Sequence, residues 1–162
     1  MMRISRFLLV ERCIATAIVL LGFSGLCYAA LGGKVDSVEA DQRHMKAQRV
    51  VRASGKYSVH EITTPYGTVV REFVSPAGTV FGVAWRGPFL PDFQQLLGNY
   101  FGEFAQGAQE AKSAQPRRSH NAALAIEHSD FVMHSGGHTR AYAGHAYVPG
   151  LIPQGVEAQD IR

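Results

Sequence analysis

The sequence predicts an α+β domain: an antiparallel sheet of about five strands, packed by one long amphipathic helix, with a shorter helix at the front. Three observations predict it. Thr64-Pro-Tyr-Gly-Thr-Val-Val and Ser75-Pro-Ala-Gly-Thr-Val-Phe are near-copies eleven residues apart, each flanked by β-forming residues. Phe93, Leu96, Leu97, Tyr100, Phe101, Phe104 and Ala108 recur at helical spacing. Two further β-rich runs then flank a Ser-Gly-Gly segment.

Along the chain, Val35 to Gln48 is polar with apolar residues at Val35, Val38 and Met45, and Asp36 with Glu39 forms a capping pair, so a short solvated helix is expected. The three runs Tyr57 to Thr63, Thr68 to Val74 and Thr79 to Trp85 read as consecutive antiparallel strands. In each connection proline presets the first central turn position and glycine closes a three-residue loop. Phe81, Val83 and Trp85 are expected on one face of the third strand, with Gly82 and Ala84 leaving the other open to close packing. Gly87-Pro88 ends the sheet, and Asp92 caps the long helix, whose apolar stripe is the mark of core packing rather than of a cofactor box. The residues from Ala114 to Asn121, with Arg117 and Arg118, read as a polar linker. Ala123 to His134 and Thr139 to Val148 read as two strands joined by Ser135-Gly-Gly, and Pro149 to Arg162 as a coil-rich tail anchored by Val156 and Ile161.

Residues 1–29 read as a secretory signal peptide, and residues 30–162 as a single domain. Arg3, Arg6 and Arg12 precede an apolar run from Cys13 to Leu26, and Cys27-Tyr-Ala29 places small residues where signal peptidase reads. The alternative, an uncleaved anchor, needs about 20 apolar residues, and Glu11 and Arg12 interrupt the run short of that. Cleavage takes the 16 basic residues to 13 and the 13 acidic ones to 12, a net charge of +1. The basic character therefore belongs largely to the leader, and nucleic-acid binding loses its compositional support. Cys13 and Cys27 depart too, so the domain has no thiol for a disulfide, a metal or catalysis. No membrane span is expected after cleavage, and the destination is the periplasm or the exterior.

All seven histidines lie beyond the leader. His134-Ser-Gly-Gly-His138 with His128 and His145 on the flanking strands is the densest group, and a hairpin loop at 134–138 would bring the two imidazoles to its mouth. Zinc or copper would need three or four such ligands, and no standard zinc spacing is present. Ser135 beside His134 and near Asp130 raises a serine hydrolase, but neighbouring strand residues point to opposite faces, and no Gly-x-Ser-x-Gly elbow exists. Glu61 and Glu72, with Arg71 and Arg86 nearby, are accounted for by cross-strand charge pairing.

Several blocks carry a family resemblance: Ala30-Leu-Gly-Gly, Tyr57-x-Val-His-Glu-Ile, Gly67-Thr-Val-Val-Arg-Glu-Phe-Val-Ser-Pro-Ala-Gly-Thr-Val-Phe-x-Val-Ala-Trp, Leu90-Pro-Asp, Leu96-Leu-Gly-x-Tyr-Phe, His134-Ser-Gly-Gly-His and Ala146-Tyr-Val-Pro. On these the chain resembles the bacterial family called domain of unknown function 2844. The resemblance implies a small exported protein of Gram-negative bacteria and supplies no catalytic or binding residue. Three functions follow from the sequence in descending order. They are a non-catalytic periplasmic or secreted module serving an envelope or secreted protein partner, a zinc or copper protein using His134 and His138, and a hydrolase at Ser135.

Overall fold

A computed structural model of the chain describes residues 31–114 and 123–162, with backbone only at 36, 37, 40, 41 and 44. The elements are α1 (Val35–His44), β1 (Gln48–Ala53), β2 (Ser58–Thr63), β3 (Val69–Val74), β4 (Val80–Gly87), α2 (Phe93–Leu97), α3 (Phe101–Ala114), β5 (Leu124–Glu127), β6 (Val132–His138) and β7 (Ala141–Tyr147). All seven strands form one antiparallel sheet in the order β1-β2-β3-β4-β7-β6-β5. Residues 1–30 and 115–122, where the expected leader and all of the expected linker but Ala114 fall, lie outside the described residues, as does the side chain of Asp36.

The two Pro-x-Gly turns are built alike. Gly67 and Gly78 take φ of 83° and 74°, and their N–H groups donate to the carbonyls of Thr64 and Ser75 at 3.0 and 2.8 Å. The Thr64 and Ser75 side-chain oxygens accept from the N–H groups of Thr68 and Thr79 at 3.0 and 3.2 Å. Hydroxyl, proline and glycine thus share the work of reversing the chain.

The sheet has seven strands where about five were expected. Gln48–Ala53, too polar to register as a strand, pairs with β2 over its full length. The run from Ala123 to His134 divides into β5 and β6, because residues 128–131 form a turn closed by His128 N–H donating to the Phe131 carbonyl at 2.9 Å. Ser135-Gly-Gly is not a loop. It lies inside β6, paired with Gly144, Ala143 and Tyr142, and the reversal falls at Thr139-Arg140, with Arg140 at φ 66°. β7 then pairs with β4, so the late strands extend the first sheet.

Asp92 caps α2 by accepting from the N–H groups of Gln94 and Gln95 at 2.9 and 3.3 Å. The expected long helix is a run from Phe93 to Ala114 whose α turns are interrupted at Gly98–Tyr100 by a 3₁₀ turn, since Gly98 takes φ 51°. This run covers one face of the sheet. Phe93 meets Trp85 edge-on at 5.0 Å, Tyr100 stacks on Phe131 at 5.6 Å, and Leu96, Leu97, Val83, Met133 and Ala146 fill the core between them.

Phe81 was expected beside Val83 and Trp85, but it lies on the other face. The register shifts between Phe73 and Val74, which pair with Gly82 and Val80, so Phe81 is the extra residue of a β-bulge and the alternation slips there. It packs with Phe73, Ala84, Val156 and Ile161 in a second, smaller cluster beneath the tail. Ile161 is 1% exposed and lies over Gly82, where a Cβ would come within 2.9 Å of its Cδ1.

The β4–β7 seam is equally tight. A Cβ at Gly144 would come within 2.4 Å of the Trp85 ring and 2.5 Å of the His134 carbonyl oxygen. Gly144→Ala should cost about 2 kcal/mol or more, since neither neighbour is a flexible side-chain end. Gly102→Ala, with nothing within 4 Å of the new methyl, should gain up to about 1 kcal/mol from helix propensity. Urea titrations of the two variants check both signs.

Candidate functional site

The tail covers the second sheet face only in part. Cross-strand partners share a face, so one row on the uncovered remainder runs Arg71, Ala84, His145, His134, Ala125 across β3, β4, β7, β6 and β5. The adjacent row runs Val69, Arg86, Ala143, Gly136, and Ala123 continues it, its Cβ lying 3.4 Å from where a Gly136 Cβ would stand. These two rows floor an open groove of about 960 Å³, with Arg162 at one wall. That volume falls in the range of small-molecule sites.

The groove is cationic at its β3–β4 end; beyond it, one row carries two imidazoles on β7 and β6 and the other only methyl groups and glycine. Arg71 is positioned by Glu61, whose Oε2 accepts from Nε at 2.9 Å, and by the main-chain oxygen of Arg162, which accepts from Nη1 at 3.1 Å. Arg86 is exposed and makes no ion pair among the described residues. His134 and His145 meet with ring centroids 5.2 Å apart. The first bonds Glu127 Oε1 through Nε2 at 3.0 Å, and the second stacks on Tyr147 at 6.2 Å. Burial, and then the charge of His134 beside it, lower the pKa of His145.

Of the four histidines proposed as ligands, the structure brings only His134 and His145 together. His138 ends β6, where it is exposed and Nδ1 donates to the Thr139 carbonyl at 3.2 Å. Four residues of strand hold it roughly 13 Å from His134, because 134–138 is extended rather than a loop. His128 turns to the helix and bonds Glu103 at 2.9 Å. Among the described residues no group of three or more His, Cys, Asp or Glu is placed to hold a metal ion. Ser135 borders the groove, but alternation sends its side chain to the face opposite His134. Glu61 and Glu72 are parted in the same way: Glu61 joins the Arg71 row, whereas Glu72 is 2% exposed on the helix-covered face across from His60. His60 also lies in that core, bonded to Ser58 at 3.2 Å, and burial and then Arg49 lower its pKa.

The groove residues absent from the sequence reading are Val69, Ala123, Ala125 and Ala143. Short apolar residues alternating along β7 were the available signal, and they acquire meaning only from their partners on other strands. Past the groove's β3–β4 end, Tyr66 and Phe89 remain 75% and 57% exposed. Their rings meet edge-on at 5.9 Å, and the Thr68 hydroxyl fixes Phe89 by bonding both its N–H and its carbonyl, at 3.2 and 2.9 Å.

Fold and groove together define an α+β protein with a helix-covered sheet face and a half-open opposite face. Residues 27–161 match the family described as Protein of unknown function (DUF2844), and the chain belongs to that family. No curated protein and no solved structure matches it.

Folding holds His60 and His145 below their ordinary value of 6.5, so in mild acid the unfolded chain binds protons that the folded chain does not. Stability should be full above about pH 6.5 and should fall as pH drops through that value. Urea midpoints at pH 8 and pH 5 check the sign. His145→Gln should narrow the difference between them; an unchanged difference would assign the dependence to His60.

Proposed function

We propose that this protein is an exported, non-catalytic binding module of the periplasm or the extracellular space, released by cleavage after Ala29, and that the groove on the second sheet face is its binding site. The observation that carries the reading is the composition of the groove. It joins an uncommitted guanidinium, two imidazoles and a floor of alanine and glycine, and its one serine neighbour turns its side chain away. Such a surface is suited to holding a molecule rather than transforming it. Export is supported by the leader's pattern. Leu31 is 1% exposed, and its N–H donates to the Leu96 carbonyl at 3.1 Å, so a cut after Ala29 keeps this core contact within the mature chain. Among the described residues no helix is long and apolar enough to cross a membrane.

The test is intact and native mass spectrometry of untagged protein recovered from fractionated Gram-negative cells. The expected result is a chain of Ala30 to Arg162 in the periplasmic or extracellular fraction, carrying a bound species. Ala143→Leu, which places a larger side chain at an exposed floor position, should remove that species and leave thermal unfolding unchanged. Full-length protein retained in the cytoplasm or the membrane would end the export reading. A species that survives Ala143→Leu would end the assignment of the groove.

A further inference from the structure

We infer that the groove takes a single-chain amphiphilic carboxylate, its head group on Arg86 and Arg71 and its apolar chain along Ala143, Gly136 and Ala123. This deepens the binding reading above and rests on it.

The argument is one of polarity along a line. Arg71 and Arg86 stand on β3 and β4, at one end of the two floor rows. From there towards β5 the second row holds only methyl groups and hydrogens at Ala143, Gly136 and Ala123. Three strand spacings separate β4 from β5, roughly 14 Å of apolar floor beginning at a cation. A ligand that satisfied the guanidinium alone would leave this floor wet, and one that covered the floor alone would desolvate Arg86 without a partner. An anion with a linear hydrocarbon chain meets both demands.

The charges around the groove favour that orientation. Arg71 already has Glu61 on Nε and the Arg162 main-chain oxygen on Nη1, so it is held in place as a secondary donor. Arg86 is open to a two-point contact with a carboxylate. The acid near the opposite end, Glu127, is engaged by His134 at 3.0 Å, and it disfavours an anionic head there. His134 and His145, in the adjacent floor row, therefore run alongside the chain, while the arginines fix its polar end.

Calorimetric titration of the mature protein at pH 8, below micellar concentrations, tests this with decanoate, decanol, decyltrimethylammonium and butyrate. Decanoate should bind one per chain. Decanol, and decanoate with Arg86→Gln, should each bind about tenfold more weakly or worse, the worth of one charge-assisted contact. Butyrate should bind more weakly again for want of a chain, and decyltrimethylammonium should not bind. Ala143→Leu should abolish decanoate binding with the fold intact. Absence of decanoate binding, or equal affinity for decanol and indifference to Arg86→Gln, overturns the inference. If decanoate fails while the species recovered from cells is still displaced by Ala143→Leu, the groove remains a binding site for another ligand class. If that species is absent as well, both readings fall.

Discussion

The packing of Trp85 over Gly144 is the contact on which the rest of the molecule depends. β4 and β7 come from opposite ends of the chain's helical interlude, and only their pairing joins a four-stranded half to a three-stranded one. The indole fills the space that a side chain at 144 would occupy, and Phe93 then closes over the indole from α2. One large residue and one absent side chain thus fix the seam, the helix above it and the relative position of every groove residue below it.

The unequal covering of the two sheet faces follows. The helical run from Phe93 to Ala114 buries one face in a continuous core. The last fourteen residues carry too few apolar side chains to bury the other, and they concentrate on the β4 bulge, where Phe81, Gly82, Val156 and Ile161 meet. What the tail leaves uncovered becomes the groove. Its cationic end is braced by the same tail, through the Arg162 main-chain oxygen on Arg71. Cover and site are therefore one construction, and a looser tail would both expose the second cluster and release Arg71.

Much of the α+β character was legible because it is written in local chemistry. Asp92 caps where a cap was read, and the Phe93-to-Phe104 stripe packs on the sheet. The reading that Gly82 and Ala84 leave their face able to accept close packing was also sound, since Ile161 lies over Gly82, although Phe81 was placed wrongly. A bulge adds one residue to one strand, and it leaves no mark in a period-two pattern. The same blindness turned Ser135-Gly-Gly into a loop. Glycines signal a turn only when no neighbouring strand claims their backbone, and here β7 claims it.

The sequence by itself determined the class of structure, the family, the cap and the turn chemistry, because each of these depends on residues within a few positions of one another. It also placed an exported leader ahead of a cysteine-free domain as an expectation of composition. Tertiary structure decided which histidines are neighbours, which face Ser135 and Glu72 occupy, and that short and cationic residues from β3, β4, β7, β6 and β5 share one floor. Those are facts of register, and register is set by pairing between strands whose residues lie far apart in the chain.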